Sequence, residues 1–133
     1  MDAIDLHVHS TFSDGTLTPS ELISRAKQFH LAAMALTDHD TIEGIPEAVQ
    51  AASEQNLELV PGVELSTFWD EKEIHIVGLF IDYTDKTFQK ELESLRDVRR
   101  NRNIAMCEKF TQLGIPIELS GYGVFYNVDL FEQ

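Results

Sequence analysis

The sequence predicts an α/β fold with a mostly parallel sheet, and three observations carry that reading. Strand-like and helix-like segments alternate in the order β-α-β-α-β-β-α-β. One short segment is apolar throughout, as a strand buried on both faces is. A capping signature followed by apolar residues at helical spacing opens the first helix.

Ile4-Asp5-Leu6-His7-Val8-His9 alternates at period two and reads as the first strand. Thr18-Pro19-Ser20-Glu21 opens a helix: Thr18 suits the N-cap, Pro19 the first turn, and Glu21 completes a capping box. Leu22, Ile23, Ala26 and Phe29 mark its expected buried stripe. Leu31 to Leu36 is the apolar strand. A second helix starts near Pro46, turns Ala48, Val49 and Ala52 inward, and ends near Asn56. Leu57 to Leu65 and Ile74 to Ile81 are the next strands. A long helix follows, with Phe88, Leu92, Leu95, Met106, Phe110 and Leu113 at three- and four-residue spacings and Gly114 and Pro116 as stop signals. Ile115 to Leu119 reads as one more strand. Ser120 to Gln133 has two glycines and several aromatics but no clear period.

With 133 residues, 43% hydrophobic and 25% charged, the chain has the composition of one soluble globular domain. It is well short of the ~250 residues of a closed (β/α)8 barrel. No repeat, low-complexity tract or linker divides it, so residues 1–133 are expected to form a single domain. Ten Lys+Arg against 23 Asp+Glu give a net charge of −13. That field repels phosphate backbones, which argues against bulk nucleic-acid coating. Cys107 is the only cysteine, so no intrachain disulfide forms. Met1-Asp2-Ala3-Ile4-Asp5 lacks the pattern of a signal peptide, and no stretch has the ~18 apolar residues of a membrane span. A cytoplasmic protein is the default expectation.

His7 and His9, two apart on one strand, point to the same face and can reach one ion. Asp14 follows in the loop Ser13-Asp14-Gly15. Thr37-Asp38-His39-Asp40 occupies the matching place after the apolar strand. Glu64 ends the third strand, and His75 lies in the fourth. In parallel α/β folds such strand ends share one rim, where ligands bind. Each residue alone has a plain alternative. Asp14 suits a turn, Asp38 and Asp40 suit helix caps, Glu64 suits the surface, and His30 suits a helix end. The pair His7 and His9 resists that reading, because two imidazoles on one buried face find no obvious partner but a cation.

The segments Asp5-Leu6-His7-Val8-His9-Ser10, Ser13-Asp14-Gly15, Ala35-Leu36-Thr37-Asp38-His39-Asp40 and Pro61-Gly62-Val63-Glu64 resemble the PHP (polymerase and histidinol phosphatase) family. They are most similar to its small stand-alone phosphoesterases, which include enzymes acting on nucleoside 3′,5′-bisphosphates and short RNA 5′ ends. Glu73-Ile74-His75-Ile76-Val77-Gly78 and the Arg-rich helix around Arg99 to Arg102 also resemble that subgroup. The likeness covers residues 2–117 and leaves 118–133 unmatched. It implies a partial, distorted (β/α)7 barrel with two or three divalent ions at the C-terminal rim of its strands. His7 and His9 would hold one ion, with Glu64 bridging to another; Asp14 and His39 would serve a second position, and Glu64 and His75 a third. Manganese is the first choice, with zinc or iron as alternatives. Asp38 and Asp40 are the candidate catalytic carboxylates, orienting a ligand from behind.

The same resemblance exposes a departure. The family takes further ligands from the second half of its barrel, yet no histidine follows His75. Weak or partial metal loading is expected. A half-barrel also leaves an open strand edge. The irregular tail, or a partner chain such as a second copy in a homo-oligomer, would cover it, or the chain is a truncated gene product.

The function implied is metal-dependent hydrolysis of a small phosphate ester, with no membrane involved. The alternative is an inactive remnant serving as a metal-binding or interaction module. Arg99 and Arg102 are the candidate phosphate contacts, one turn apart in the main basic cluster. Pairing of that helix face with Glu93 and Asp97 stands as the plain alternative.

Overall fold

The computed structural model describes residues 3–70, 72–115, 117–119 and 125–127. They fall into two compact units, Met1–Glu93 and Ser94–Gln133. The first holds β1 (Ala3–Val8), α1 (Pro19–Gln28), β2 (Leu31–Leu36), α2 (Ile45–Gln55), β3 (Glu58–Trp69) and β4 (Lys72–Leu79). The helix α3 (Lys86–Gln112) begins there and continues into the second unit.

The four strands form one curled half-barrel sheet in the order β1-β2-β3-β4. β1 and β2 are parallel, as are β2 and β3, because α1 and α2 return the chain each time. β4 turns back on β3 as an antiparallel hairpin, with Trp69 opposite Lys72. The predicted mostly parallel α/β architecture is therefore present.

Local chemistry explains the helices. The Thr18 hydroxyl accepts the Glu21 amide at 3.3 Å, and the Glu21 carboxylate accepts the Thr18 amide at 2.8 Å, which completes the capping box. At the end of α2, Asn56 takes a left-handed φ of 50°, a conformation asparagine tolerates better than most residues. Ile23, Ala26, Met34, Ala51, Ala52 and Leu57 form one buried cluster between α1, α2 and the sheet. Leu36, Ile42, Ile45, Ala48, Val63 and Leu92 form a second. Burying these side chains supplies the main driving force for the unit.

Two expectations need correction. Phe29, assigned to the buried stripe of α1, is 65% exposed; it stands at the C-cap, where the Arg25 guanidinium covers its ring at 5.5 Å. The strands expected at 57–65 and 74–81 extend to Trp69 and start at Lys72. Hydrophobic alternation reports burial, and the outer part of this hairpin is exposed, so the period disappears where the backbone pairing continues.

In the second unit, α3 ends as Gly114 predicts. Gly114 has a φ of 82°, its amide bonds the Thr111 carbonyl, and the Ile115 amide reaches back to Phe110, a Schellman stop. β5 (Ile117–Leu119) pairs antiparallel with β6 (Phe125–Asn127), a strand the sequence reading did not assign. Three residues are too few to show a period. Pro116 and most of the tail lie outside the described residues. Among the described residues no helix is long and apolar enough to cross a membrane.

Candidate metal centre

The sheet brings the candidate residues together through the way β2 ends. Past Leu36 the chain does not leave the sheet at once. The Thr37 amide donates to the Val8 carbonyl at 2.8 Å, and the Glu64 amide donates to the Asp38 carbonyl at 3.1 Å. The Asp40 amide then donates to the Glu64 carbonyl at 2.9 Å, so His39 sits in a parallel bridge beside Glu64. Asp40 takes a left-handed φ of 53°, and its Oδ1 accepts the Ser66 amide at 2.8 Å. The loop thereby satisfies the amides of β3 that outrun β2. In β1 the register slips between Asp5 and Val8, three steps facing the two from Met34 to Leu36. The irregularity falls in the stretch that carries His7.

Glu64 is the hub. Its Oε2 lies 2.8 Å from His7 Nε2, 2.9 Å from His9 Nε2 and 3.6 Å from His39 Nε2. Its Oε1 lies 3.3 Å from His75 Nδ1. Asp14 closes the other side, Oδ1 at 2.9 Å from His9 Nδ1 and Oδ2 at 3.7 Å from His39 Nε2. The four imidazoles form a continuous row, with centroids 5.0, 4.6 and 4.9 Å apart from His7 through His9 and His39 to His75. His9, His39 and Glu64 are largely enclosed. His7 is half exposed at the rim, not on a buried face as the sequence reading had it.

These donors fit divalent ions. They form three groups: His7, His9 and Glu64; His9, Asp14 and His39; His39, Glu64 and His75. In each, the candidate ligand atoms lie within 4.8 Å of one another. Donors held about 2.1 Å from one tetrahedral ion stand roughly 3.4 Å apart, and the separations above bracket that value. His39 Nδ1 and Ser66 Oγ are buried without a hydrogen-bond partner among the described residues.

The electrostatics agree. Burial pushes the His39 imidazole below its ordinary range, despite the opposing charges of Glu64 and Asp14, which favours the neutral form with a free lone pair. Burial pushes the Glu64 carboxyl up, but the His7 hydrogen bond and the charges of His39, His7 and His9 outweigh it and hold it low. Asp14 is likewise held low by His39 and His9 against its own desolvation. Ionised carboxylates facing imidazoles form a donor set for a hard or borderline cation.

The remaining candidates lie elsewhere. Asp38 and Asp40 are each 2% exposed and stand behind the row, not in it. Asp38 Oδ1 accepts the Ser10 amide at 2.6 Å and the Ser13 hydroxyl at 2.7 Å, and its Oδ2 accepts the Ser10 hydroxyl at 2.7 Å. Arg99 and Arg102 lie on α3 in the second unit. Sequence reasoning missed Ser10, Ser13 and Ser66. Ser10 and Ser13 both stand in the quoted motif segments just before Asp14, and Ser66 follows Glu64 by two on its strand.

The chain is 46% identical over 117 residues to the 5'-3' exoribonuclease of Haemophilus influenzae, covering 88% of this chain and 43% of that protein. It is 41% identical over 121 residues to the 3',5'-nucleoside bisphosphate phosphatase of Chromobacterium violaceum, covering 91% of this chain and 40% of that one. The chain thus spans about two fifths of the length of these relatives. Among solved structures it resembles an amidohydrolase from Chromobacterium violaceum, with TM-score 0.78 and 42% identity, over 85% of this chain and 40% of that one. A structure from Bifidobacterium adolescentis assigned as a metal-dependent phosphoesterase gives TM-score 0.77 and 32% identity, over 84% and 39%. The profile of the PHP domain matches residues 5–116, the span that carries every histidine and carboxylate of the row. With that match over most of its length, and that row at the rim of its half-barrel, the chain belongs to the PHP domain family.

Proposed function

We propose that this chain carries the metal-binding half of a phosphoesterase site and hydrolyses a small phosphate ester, a nucleoside 3′,5′-bisphosphate or a short RNA 5′ end. One observation carries the reading: four imidazoles, from two strands and two loops, converge on Glu64 of a third strand, and Asp14 faces two of them. The names of the similar proteins support the substrate class, and the similar Chromobacterium structure has bound SO4, an anion of phosphate-like shape.

His7, His9 and Glu64 would hold one ion, Asp14 and His39 a second, and Glu64 with His75 a third, with Mn²⁺ our choice over Zn²⁺ or Fe²⁺. Bound divalent ions supply Lewis-acid neutralisation of phosphoryl charge and lower the pKa of water. The chain's own part is to fix its donors before substrate arrives. Asp40 holds the β3 backbone at Ser66, and Asp38 holds the loop of Asp14 through Ser10 and Ser13. We read both as positioning groups. Arg99 and Arg102 remain our candidates for contact with a substrate phosphate, and a cytoplasmic setting suits the acidic, cysteine-poor composition.

The test is inorganic phosphate release from a nucleoside 3′,5′-bisphosphate by the chain with Mn²⁺, beside His39→Ala. Metal-dependent turnover lost in the variant is the expected result; absence of turnover at full metal load overturns the enzyme reading. Metal binding without turnover would favour the second reading, a metal-binding module. Ile74, Ile76 and Val77 stand exposed on β4, which pairs only with β3 among the described residues. A second copy covering them is the oligomer we expect, and size-exclusion chromatography checks it.

A further inference from the structure

We infer that Phe68 is the platform on which the base of a nucleotide substrate stacks while its phosphate lies at the metal centre. The inference rests on the phosphoesterase reading above and concerns the part of the substrate that metal ions do not hold. Residues directly opposite on an antiparallel pair share a face, and every second residue of a strand returns to it. Glu64 and Ser66 of β3 therefore share a face with His75, which stands opposite Ser66. The 3.3 Å contact of Glu64 Oε1 with His75 Nδ1 agrees. The next pair outward on that face is Phe68 and Glu73. Glu73 Oε1 lies 3.7 Å from His75 Nε2, which puts this pair on the side of the imidazoles. The row of rings ends at His75, and beyond it stands a phenyl ring that is 58% exposed.

A large aromatic side chain facing water beside an ion site offers stacking surface. Two residues of strand, roughly 7 Å, separate the Phe68 pair from the His75 pair. A ribose fills a gap of that order between a phosphate at the ions and a base over the ring. Charge sets the direction of the substrate. Glu73, within a chain of net charge −13, opposes a second phosphate outward of His75. The uncharged end of the substrate therefore belongs there. Every nucleobase has a π face, so stacking tolerates any base. Phe68 thus selects for the presence of a base and not for its identity.

Calorimetry on the whole chain with saturating Mn²⁺ compares adenosine 5′-monophosphate with ribose 5-phosphate. The wild type should bind the nucleotide roughly tenfold more tightly, the worth of one stacked base. Phe68→Ala should remove that difference and leave the affinities for ribose 5-phosphate and Mn²⁺ unchanged, while Phe68→Trp keeps it. Nucleotide affinity unmoved by Phe68→Ala overturns the inference. A loss shared equally by both ligands also overturns it, because the ring then only supports the hairpin. A changed oligomeric state at unmoved nucleotide affinity assigns Phe68 to a protein contact instead. If the wild type binds neither phosphate, the phosphoesterase reading falls and takes this one with it. If it binds both equally, only this inference fails.

Discussion

His9 and Glu64 meet across an intervening strand: Nε2 of the histidine, just past β1, lies 2.9 Å from Oε2 of the glutamate on β3, with β2 between them. Two strand spacings separate their backbones by roughly 10 Å, so the side chains close the gap from opposite sides of a concave face. The curl of the sheet and the register slip in β1 make that closure available.

Glu64 is irreplaceable in this geometry because both its oxygens are engaged, Oε2 by three imidazoles and Oε1 by His75. Glu64→Gln keeps the shape but replaces one oxygen by a donor that no cation accepts. We expect at least a tenfold loss of Mn²⁺ affinity by calorimetry, and disappearance of any metal-induced rise in thermal midpoint. Chelation with EDTA should bring the wild type down to the variant. Equal affinities would remove Glu64 from the centre.

Asp38→Ala should cost stability as well as metal binding. The substitution strands the Ser10 amide and hydroxyl around an enclosed position and takes from the Ser13 hydroxyl its shortest contact. Losing hydrogen bonds to a charged acceptor and leaving their donors unpaired costs about 3 kcal/mol. Urea denaturation of the metal-free chain measures it, and a cost near zero would show that the loop reorganises freely.

Gly15→Ala tests the backbone of the same loop. A Cβ there would overlap the His9 carbonyl oxygen and stand 2.9 Å from the Ser10 carbonyl carbon, and backbone atoms cannot swing aside. We expect a loss of about 2 kcal/mol and weaker metal binding, since Asp14 and His9 would be pushed out of register. A variant with wild-type melting and wild-type calorimetry would show the approach to be looser than these distances.

The capping box gives a pH dependence with a definite sign. Bonds from the Thr18 backbone and side chain hold the Glu21 carboxyl below its ordinary value of 4.5. A depressed folded-state pKa adds stability that is complete above the unfolded value and is lost as pH falls through the folded one. Wild type should therefore melt above Glu21→Gln at neutral pH, and the gap should close on acidification below about 4.5. Thermal melts at neutral and acid pH check this, and a gap that widens in acid would reverse the sign.

The sequence by itself determined whatever depends on near neighbours. The capping box at Thr18 and Glu21, the apolar run of β2, the αL stop at Gly114 and the shared face of His7 and His9 are set by spacings of two to four residues. Covalent geometry and hydrogen-bond periodicity enforce these locally. Alternation of strands and helices extended that reach to Asp14, His39, Glu64 and His75 by placing them near strand ends on one rim, and the motif resemblance sorted them into ligand sets. Only the tertiary structure decided which groups Asp38 and Asp40 hold, Ser10 and Ser13 for the first and the Ser66 amide for the second, and that His7 stands half exposed at the rim. It also carried the β3–β4 pairing out to Trp69 and Lys72, where exposure on both faces erases the period that would have announced it. Those features arise from sheet order, a one-residue register slip and burial, which follow from how distant segments pack and leave no mark at any single spacing in the chain.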